Sequence, residues 1–130
     1  MTKTIMIVDD SQDDIELMEI ALKASGHEVK TRVATRGETA LKYLRDGEDK
    51  PVLILLDLKI PGMSGVDLLR KIRADARFNE IPVVVVTSSS LPMDEDNAYA
   101  AGSNGYLLKA MDLKKFNKDI KSLLDRWVPN

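Results

Sequence analysis

Residues 51–65 read PVLILLDLKIPGMSG. From Val52 to Leu56 every side chain is apolar, without the in-out alternation of a half-exposed strand, and the run then stops on the carboxylate of Asp57. A short unbroken apolar run of this kind is the pattern of a strand covered on both faces, as in a parallel sheet between helices. Residues 82–86 repeat it as PVVVV, and apolar or β-branched runs at 4–8, 28–34 and 105–108 complete the expected strands.

Segments with helical spacing fill the gaps. Ile15, Met18 and Leu22 share one stripe, opened by Ser11 with Asp14 three residues on, a capping-box arrangement. The stretch TRGE at 35–38 repeats that signal ahead of Leu41 and Leu44. A third helix is expected from about Ser64, with Leu68, Leu69 and Ile72 facing inward, and a fourth between Pro92 and Ala101, ending before Gly102. The last begins near Asp112. There Leu113, Phe116, Ile120, Leu123 or Leu124, and Trp127 recur at three- and four-residue steps, leaving Lys114, Lys118 and Lys121 on a solvated face. Five strand-helix repeats predict an α/β fold, a parallel sheet with helices on both faces, because right-handed crossovers put the helices there.

Composition narrows the function. The length of 130 residues fits a single domain spanning 1–130, with room for a real core. A net charge of -2, with 44% hydrophobic and 31% charged residues, lacks the basic excess of a general nucleic-acid binder. With no cysteine and one histidine, His27, there is no disulfide, no thiol nucleophile and no cysteine-histidine zinc site. The apolar run of MTKTIMIV stops at Asp9, too short for a signal peptide or a membrane span, so a cytoplasmic protein is expected.

What ends the strands carries the chemistry. The first ends on Asp9 and Asp10, the third on Asp57, the fourth on Thr87 and Ser88, and the fifth is followed by Lys109. In an open parallel sheet those ends line one edge, and ligands bind in the crevice beside it. Any one of these residues is ordinary in a loop; their coincidence on four strands is not. Carboxylates about 4 Å apart near a protein surface repel by ~4 kcal/mol per pair, so a proton, a lysine or a divalent cation must compensate. Lys109 can neutralise one charge, and an oxygen-lined site for the remainder suits Mg²⁺. A cation, a lysine and a threonine hydroxyl make the electrostatic set that phosphoryl transfer needs. With Asp57 as the attacking oxygen the product is an acyl phosphate on the protein itself.

The segments IMIVDDS, LILLDLKIPGMSG, PVVVVTS and GYLLK, in this order and spacing, resemble the response-regulator receiver domains of two-component signalling over essentially the whole chain. The resemblance implies a flavodoxin-like fold with strand order 2-1-3-4-5. It implies that Asp57 is the phosphoacceptor, that Asp10 binds Mg²⁺ directly and Asp9 mostly through water, and that the backbone carbonyl of Lys59 completes the ligands. Lys109 would pair with the phosphoryl group, Thr87 would be the switch hydroxyl, and Tyr106 the aromatic that moves with it. The donor would be a phosphohistidine on a sensor kinase, and the protein would catalyse only its own phosphorylation and dephosphorylation. Output would be contact with a downstream protein or phosphotransfer partner, or homodimer formation, through the face of the fourth helix, fifth strand and fifth helix. DDSQDD, the serines 88–90 and the tryptophan near the end are similar to stand-alone regulators that partner phytochrome-like histidine kinases.

Some positions depart from the family pattern. Ala110 follows Lys109 where receivers commonly carry a cis proline, and a cis bond without proline costs roughly 3 kcal/mol. Ser88 stands where a small apolar residue is frequent, and its hydroxyl could add a phosphate contact or simply be tolerated for its size. Lys59, two residues beyond Asp57, is expected to hinder the attacking water and slow hydrolysis of the phosphoprotein. The same lysine argues against a dehalogenase-type phosphohydrolase, which needs a second aspartate there, and the charges of DDSQDD argue against a flavin phosphate. A receiver-like scaffold that is never phosphorylated is the remaining alternative. His27 is expected in a polar turn without a catalytic role, Met63 under the loop shaped by Pro61, Gly62 and Gly65, and Trp127 as a lid on the core.

Overall fold

Strand and helix alternate as β1 (Lys3–Val8), α1 (Gln12–Ala24), β2 (Val29–Ala34), α2 (Gly37–Asp46), β3 (Leu53–Leu56), α3 (Gly65–Ala74), β4 (Val83–Thr87), α4 (Pro92–Ala100), β5 (Gly105–Leu108) and α5 (Leu113–Trp127). The structure is a computed structural model that describes residues 3–47, 50–109 and 112–128. Its strands form one parallel sheet of order β2-β1-β3-β4-β5, as the receiver resemblance implies.

The unbroken apolar runs are buried because both sheet faces are covered. β3 and β4 have no exposed residue. Successive side chains of a strand point to opposite faces, so Met6, Val8, Ile54 and Leu56 join the core under α2 and α3, whereas Ile5, Ile7, Leu53 and Leu55 join the core under α1 and α5. Each fully buried Leu or Ile contributes on the order of 1.5–3 kcal/mol. β2, at the sheet's edge, instead alternates half-buried and exposed residues until Ala34, which is buried. Trp127 is half-buried against the α1/α5 core, in the lid position expected of it.

Caps fix where the helices start. Ser64 accepts from the Asp67 N–H and Asp112 from the Lys114 and Lys115 N–H groups, so α3 and α5 begin where the sequence signals them. Pro92 opens α4, and Gly102, with φ 108°, follows its C-cap at Ala101. The signal at 35–38 is corrected: Arg36, not Thr35, is the N-cap of α2, and no side chain caps it. The reason is packing. Gly37 lies under Met63, and this contact sets the entry of the chain into α2. Leu113 is also corrected, since it is 57% exposed; as the first residue of α5 it lies above the core that Phe116, Ile120 and Leu124 enter.

Lys114, Lys118 and Lys121 are exposed as expected. No described peptide bond is cis, while the Lys109–Ala110 bond lies outside the described residues. Among the described residues no helix is long and apolar enough to cross a membrane.

Candidate functional site

Sheet register assembles the site. β1 and β3 pair Val8 with Leu56, so the next residues, Asp9 and Asp57, leave the sheet side by side. The Asp57 N–H donates to the Val8 carbonyl at 2.9 Å, and the Asp9 N–H donates to Ala34 at 3.1 Å, so both backbones are still held by the ladder where their side chains diverge from it. On the other side β4 and β5 pair Thr87 with Leu108, and the Lys109 N–H donates to the Thr87 carbonyl at 2.8 Å. The expected residues of four strands therefore share one rim.

Asp9, Asp10 and Asp57 each bring a carboxylate oxygen within 4.8 Å of the others. The Lys109 ammonium sits among acids: its Nζ is 2.8 Å from Asp9 Oδ2, 2.9 Å from Asp14 Oδ2 and 3.1 Å from Asp57 Oδ2. Burial opposes its charge, but the Asp9, Asp14 and Asp57 carboxylates outweigh that and hold its pKa above the ordinary lysine value of 10.5. The stabilisation from this pairing is complete below pH 10.5 and is lost only as pH rises through the higher folded value, so Lys109 is a fixed cation at neutral pH.

Asp9 is fully buried. Its Oδ1 accepts from the Ser11 N–H at 2.9 Å, whereas its Oδ2 makes the ion pair with Lys109 without the alignment of a hydrogen bond and has no other partner. Burial raises the Asp9 pKa; the Lys109 ammonium and the Ser11 N–H pull the other way. A buried carboxylate oxygen without an aligned donor, beside two more carboxylates and no sulfur or imidazole, fits a hard divalent cation such as Mg²⁺.

Thr87 is buried at the end of β4, and its Oγ1 accepts from the Ser89 N–H at 3.4 Å. Ser89 is a junction that the sequence reading missed. Its hydroxyl donates to Asp94 of α4, and its carbonyl accepts the Tyr106 hydroxyl at 2.8 Å. Tyr106 is thus tied to the loop that follows Thr87, and burial raises its phenol pKa. The Ser88 and Lys59 side chains are exposed, and among the described residues neither is bonded to the acids.

Asp14 was missed as well. Ser11 does cap α1, accepting from the Asp14 N–H at 3.4 Å, but the reciprocal half of the box does not form: the Ser11 N–H goes to Asp9 and the Asp14 carboxylate to Lys109. His27 Nε2 lies 2.8 Å from Asp125 Oδ1, a tie between the turn before β2 and the last turn of α5, at the end of the sheet where β2 begins and not at the rim where the acids leave it. Among the described residues, the fold brings Asp9, Asp10, Asp57, Thr87 and Lys109 to one rim, adds Asp14, and leaves His27 outside it.

A five-stranded parallel sheet with acids and a lysine gathered at its carboxyl edge is the architecture of a response-regulator receiver, and the sequence profile of that family, the response regulator receiver domain, matches residues 5–121. The chain belongs to this family of two-component signalling proteins. It is 34% identical over 125 residues to the polar-differentiation response regulator DivK of Brucella ovis, covering 95% of this chain and 98% of that protein. In structure it resembles the phosphorylated cyanobacterial phytochrome response regulator RcpA, with a TM-score of 0.90, 31% identity, and 98% and 95% of the two chains covered. The Mn²⁺-bound form of response regulator Rcp1 is similar at a TM-score of 0.87, 31% identity, and 98% and 96% covered.

Proposed function

We propose that the chain, acting as one receiver domain over 1–130, is a cytoplasmic phosphorylation switch that takes a phosphoryl group from a histidine kinase onto Asp57 and signals by protein contact. The observation that supports this most is the placement of Asp57 in a carboxylate cluster with Asp9 and Asp10 and 3.1 Å from the Lys109 ammonium. Asp57 attacks phosphorus, the bond from phosphorus to the kinase imidazole breaks, and the electron pair leaves with that nitrogen, which solvent can reprotonate. Lys109 holds one phosphoryl oxygen. The Thr87 hydroxyl, turned from the Ser89 N–H, takes another, and the exposed Ser88 hydroxyl, one residue on, would take a third. Mg²⁺ held by Asp9, Asp10, Asp57 and the Lys59 carbonyl would neutralise the charge that builds on those oxygens. Loss of the Thr87–Ser89 contact frees the Tyr106 anchor.

Similarity to RcpA, a phytochrome response regulator, supports a phytochrome-like kinase as donor. Exposed Leu91, Met93, Tyr99 and Leu108 support the α4, β5 and α5 face as the surface for a downstream protein, a phosphotransfer partner or a second copy. Nothing in the charge balance favours nucleic acid.

Incubation with Mg²⁺ and acetyl phosphate, followed by intact mass measurement, is expected to give one phosphoryl adduct, abolished in Asp57→Asn and by chelation. An unmodified wild-type protein would favour the scaffold reading. Decay of the adduct tests Lys59: Lys59→Ala is expected to shorten its lifetime by about threefold, the scale of one exposed charge beside a reacting group. An unchanged or longer lifetime removes Lys59 from the hydrolysis step.

A further inference from the structure

Lys109 has three N–H bonds to give and three carboxylates around it. Two of those N–H bonds go to Asp14 and Asp57, and the Asp9 ion pair closes the third side of the ammonium, so a phosphoryl oxygen reaches it only if one carboxylate gives way. Asp9 is fully buried and Asp57 is 12% exposed, so neither can exchange the lysine for water at low cost. Asp57 must also stay close, because it carries the new group. Asp14 differs from both. Its side chain is 36% exposed on the first turn of α1, where water and the helix N-terminus can solvate a released carboxylate. It also lies outside the Asp9, Asp10 and Asp57 set and reaches the crevice through Lys109.

We infer that Asp14 is a positioning residue that competes with the phosphoryl group for the Lys109 ammonium and so sets how readily Asp57 is phosphorylated. This rests on the phosphoacceptor reading of Asp57. In the resting site Asp14 holds Lys109 across the mouth of the crevice. When the phosphoryl group arrives, the ammonium exchanges Asp14 for a phosphoryl oxygen, and Asp14 turns to solvent.

The test compares initial rates of adduct formation from Mg²⁺ and acetyl phosphate for the wild type, Asp14→Asn, Asp14→Glu and Asp13→Asn. Asp13 is exposed on the same turn and has no contact with Lys109, so Asp13→Asn reports the effect of removing a negative charge near an anionic donor. Asp14→Asn is expected to react about fivefold faster than the wild type, the scale of a half-exposed ion pair, and faster than Asp13→Asn. Asp14→Glu restores the competing carboxylate and should return the rate to within about twofold of the wild type. The Mg²⁺ concentration at half-maximal rate should stay the same in Asp14→Asn, because Asp14 is not a ligand. Equal rates in Asp14→Asn and Asp13→Asn, or a slower Asp14→Asn, would overturn the inference while leaving Asp57 as acceptor. A wild type that forms no adduct would overturn both.

Discussion

Replacing Gly65 by alanine is expected to destabilise the protein by about 2–3 kcal/mol and to slow phosphorylation of Asp57 by about a hundredfold. The added Cβ would lie 2.4 Å from the Asp57 carbonyl oxygen and 2.8 Å from Leu58 Cα, both backbone atoms. A flexible side chain could give way at such distances, but backbone cannot do so without moving the residue it belongs to. Here that residue carries the proposed nucleophile. The Gly65 N–H also donates to the Leu58 carbonyl at 2.8 Å, so the start of α3 and the turn after β3 must shift together. A displacement near 1 Å of a reacting group costs on the order of a hundredfold in rate. Gly26 is the control. A Cβ there meets nothing within 4 Å, and its φ of 82° imposes only local strain of about 1 kcal/mol. Denaturant unfolding and adduct formation should therefore both fail to the predicted extent in Gly65→Ala, whereas Gly26→Ala loses stability alone. If Gly65→Ala is phosphorylated at the wild-type rate, the close approach does not position Asp57.

Arg73→Ala should lower stability by about 3–4 kcal/mol, or the melting temperature by roughly 10 °C, and leave phosphorylation below that temperature within about twofold. The guanidinium donates to the carbonyls of Gly102 at 2.9 Å, Ile81 at 2.8 Å and Asn79 at 3.2 Å, and to Asn104 Oδ1 at 2.7 Å. Every acceptor is a neutral amide oxygen, and burial lowers the Arg73 pKa. One side chain on α3 thereby closes the turns before β4 and before β5. Asn104 extends the closure, since its Oδ1 also accepts from the Val83 N–H and its own N–H donates to the Val83 carbonyl. These bonds sit where β4 and β5 start, at the opposite edge of the sheet from Asp57. Lysine cannot replace a planar five-donor fork, so Arg73→Lys should recover less than half of the loss. A melting temperature within 3 °C of the wild type in Arg73→Ala would show that water replaces the clamp at almost no cost.

How much of this was legible in the sequence depends on the range of the interaction responsible. The runs at 52–56 and 82–86 announce β3 and β4 because burial on both faces leaves no polar position, and that signal is local. Asp57, Thr87 and Lys109 could be placed together because each ends a strand of one parallel sheet. Asp14 could not. It satisfies a local pattern, the capping box, while its carboxylate is claimed by Lys109, 95 residues away. Thr35 failed for a related reason: the contact between Gly37 and Met63 decides how α2 begins, and a four-residue signal cannot contain it. Arg73 and Ser89 look like ordinary surface residues until the turns and loops that they join have folded against them.

A short edge strand carries a charged fastening. β5 is four residues long, paired on one side only, and half-buried or exposed throughout. By packing alone it would be the first strand to fray. The lysine that follows it acts as a hasp, pinning the chain to acids that emerge from β1, α1 and β3. A cation or a phosphoryl group that engages those acids engages what the hasp closes on. On the proposed function, occupancy of the crevice would therefore alter how often this edge strand opens, which hydrogen exchange of the β5 amides would read.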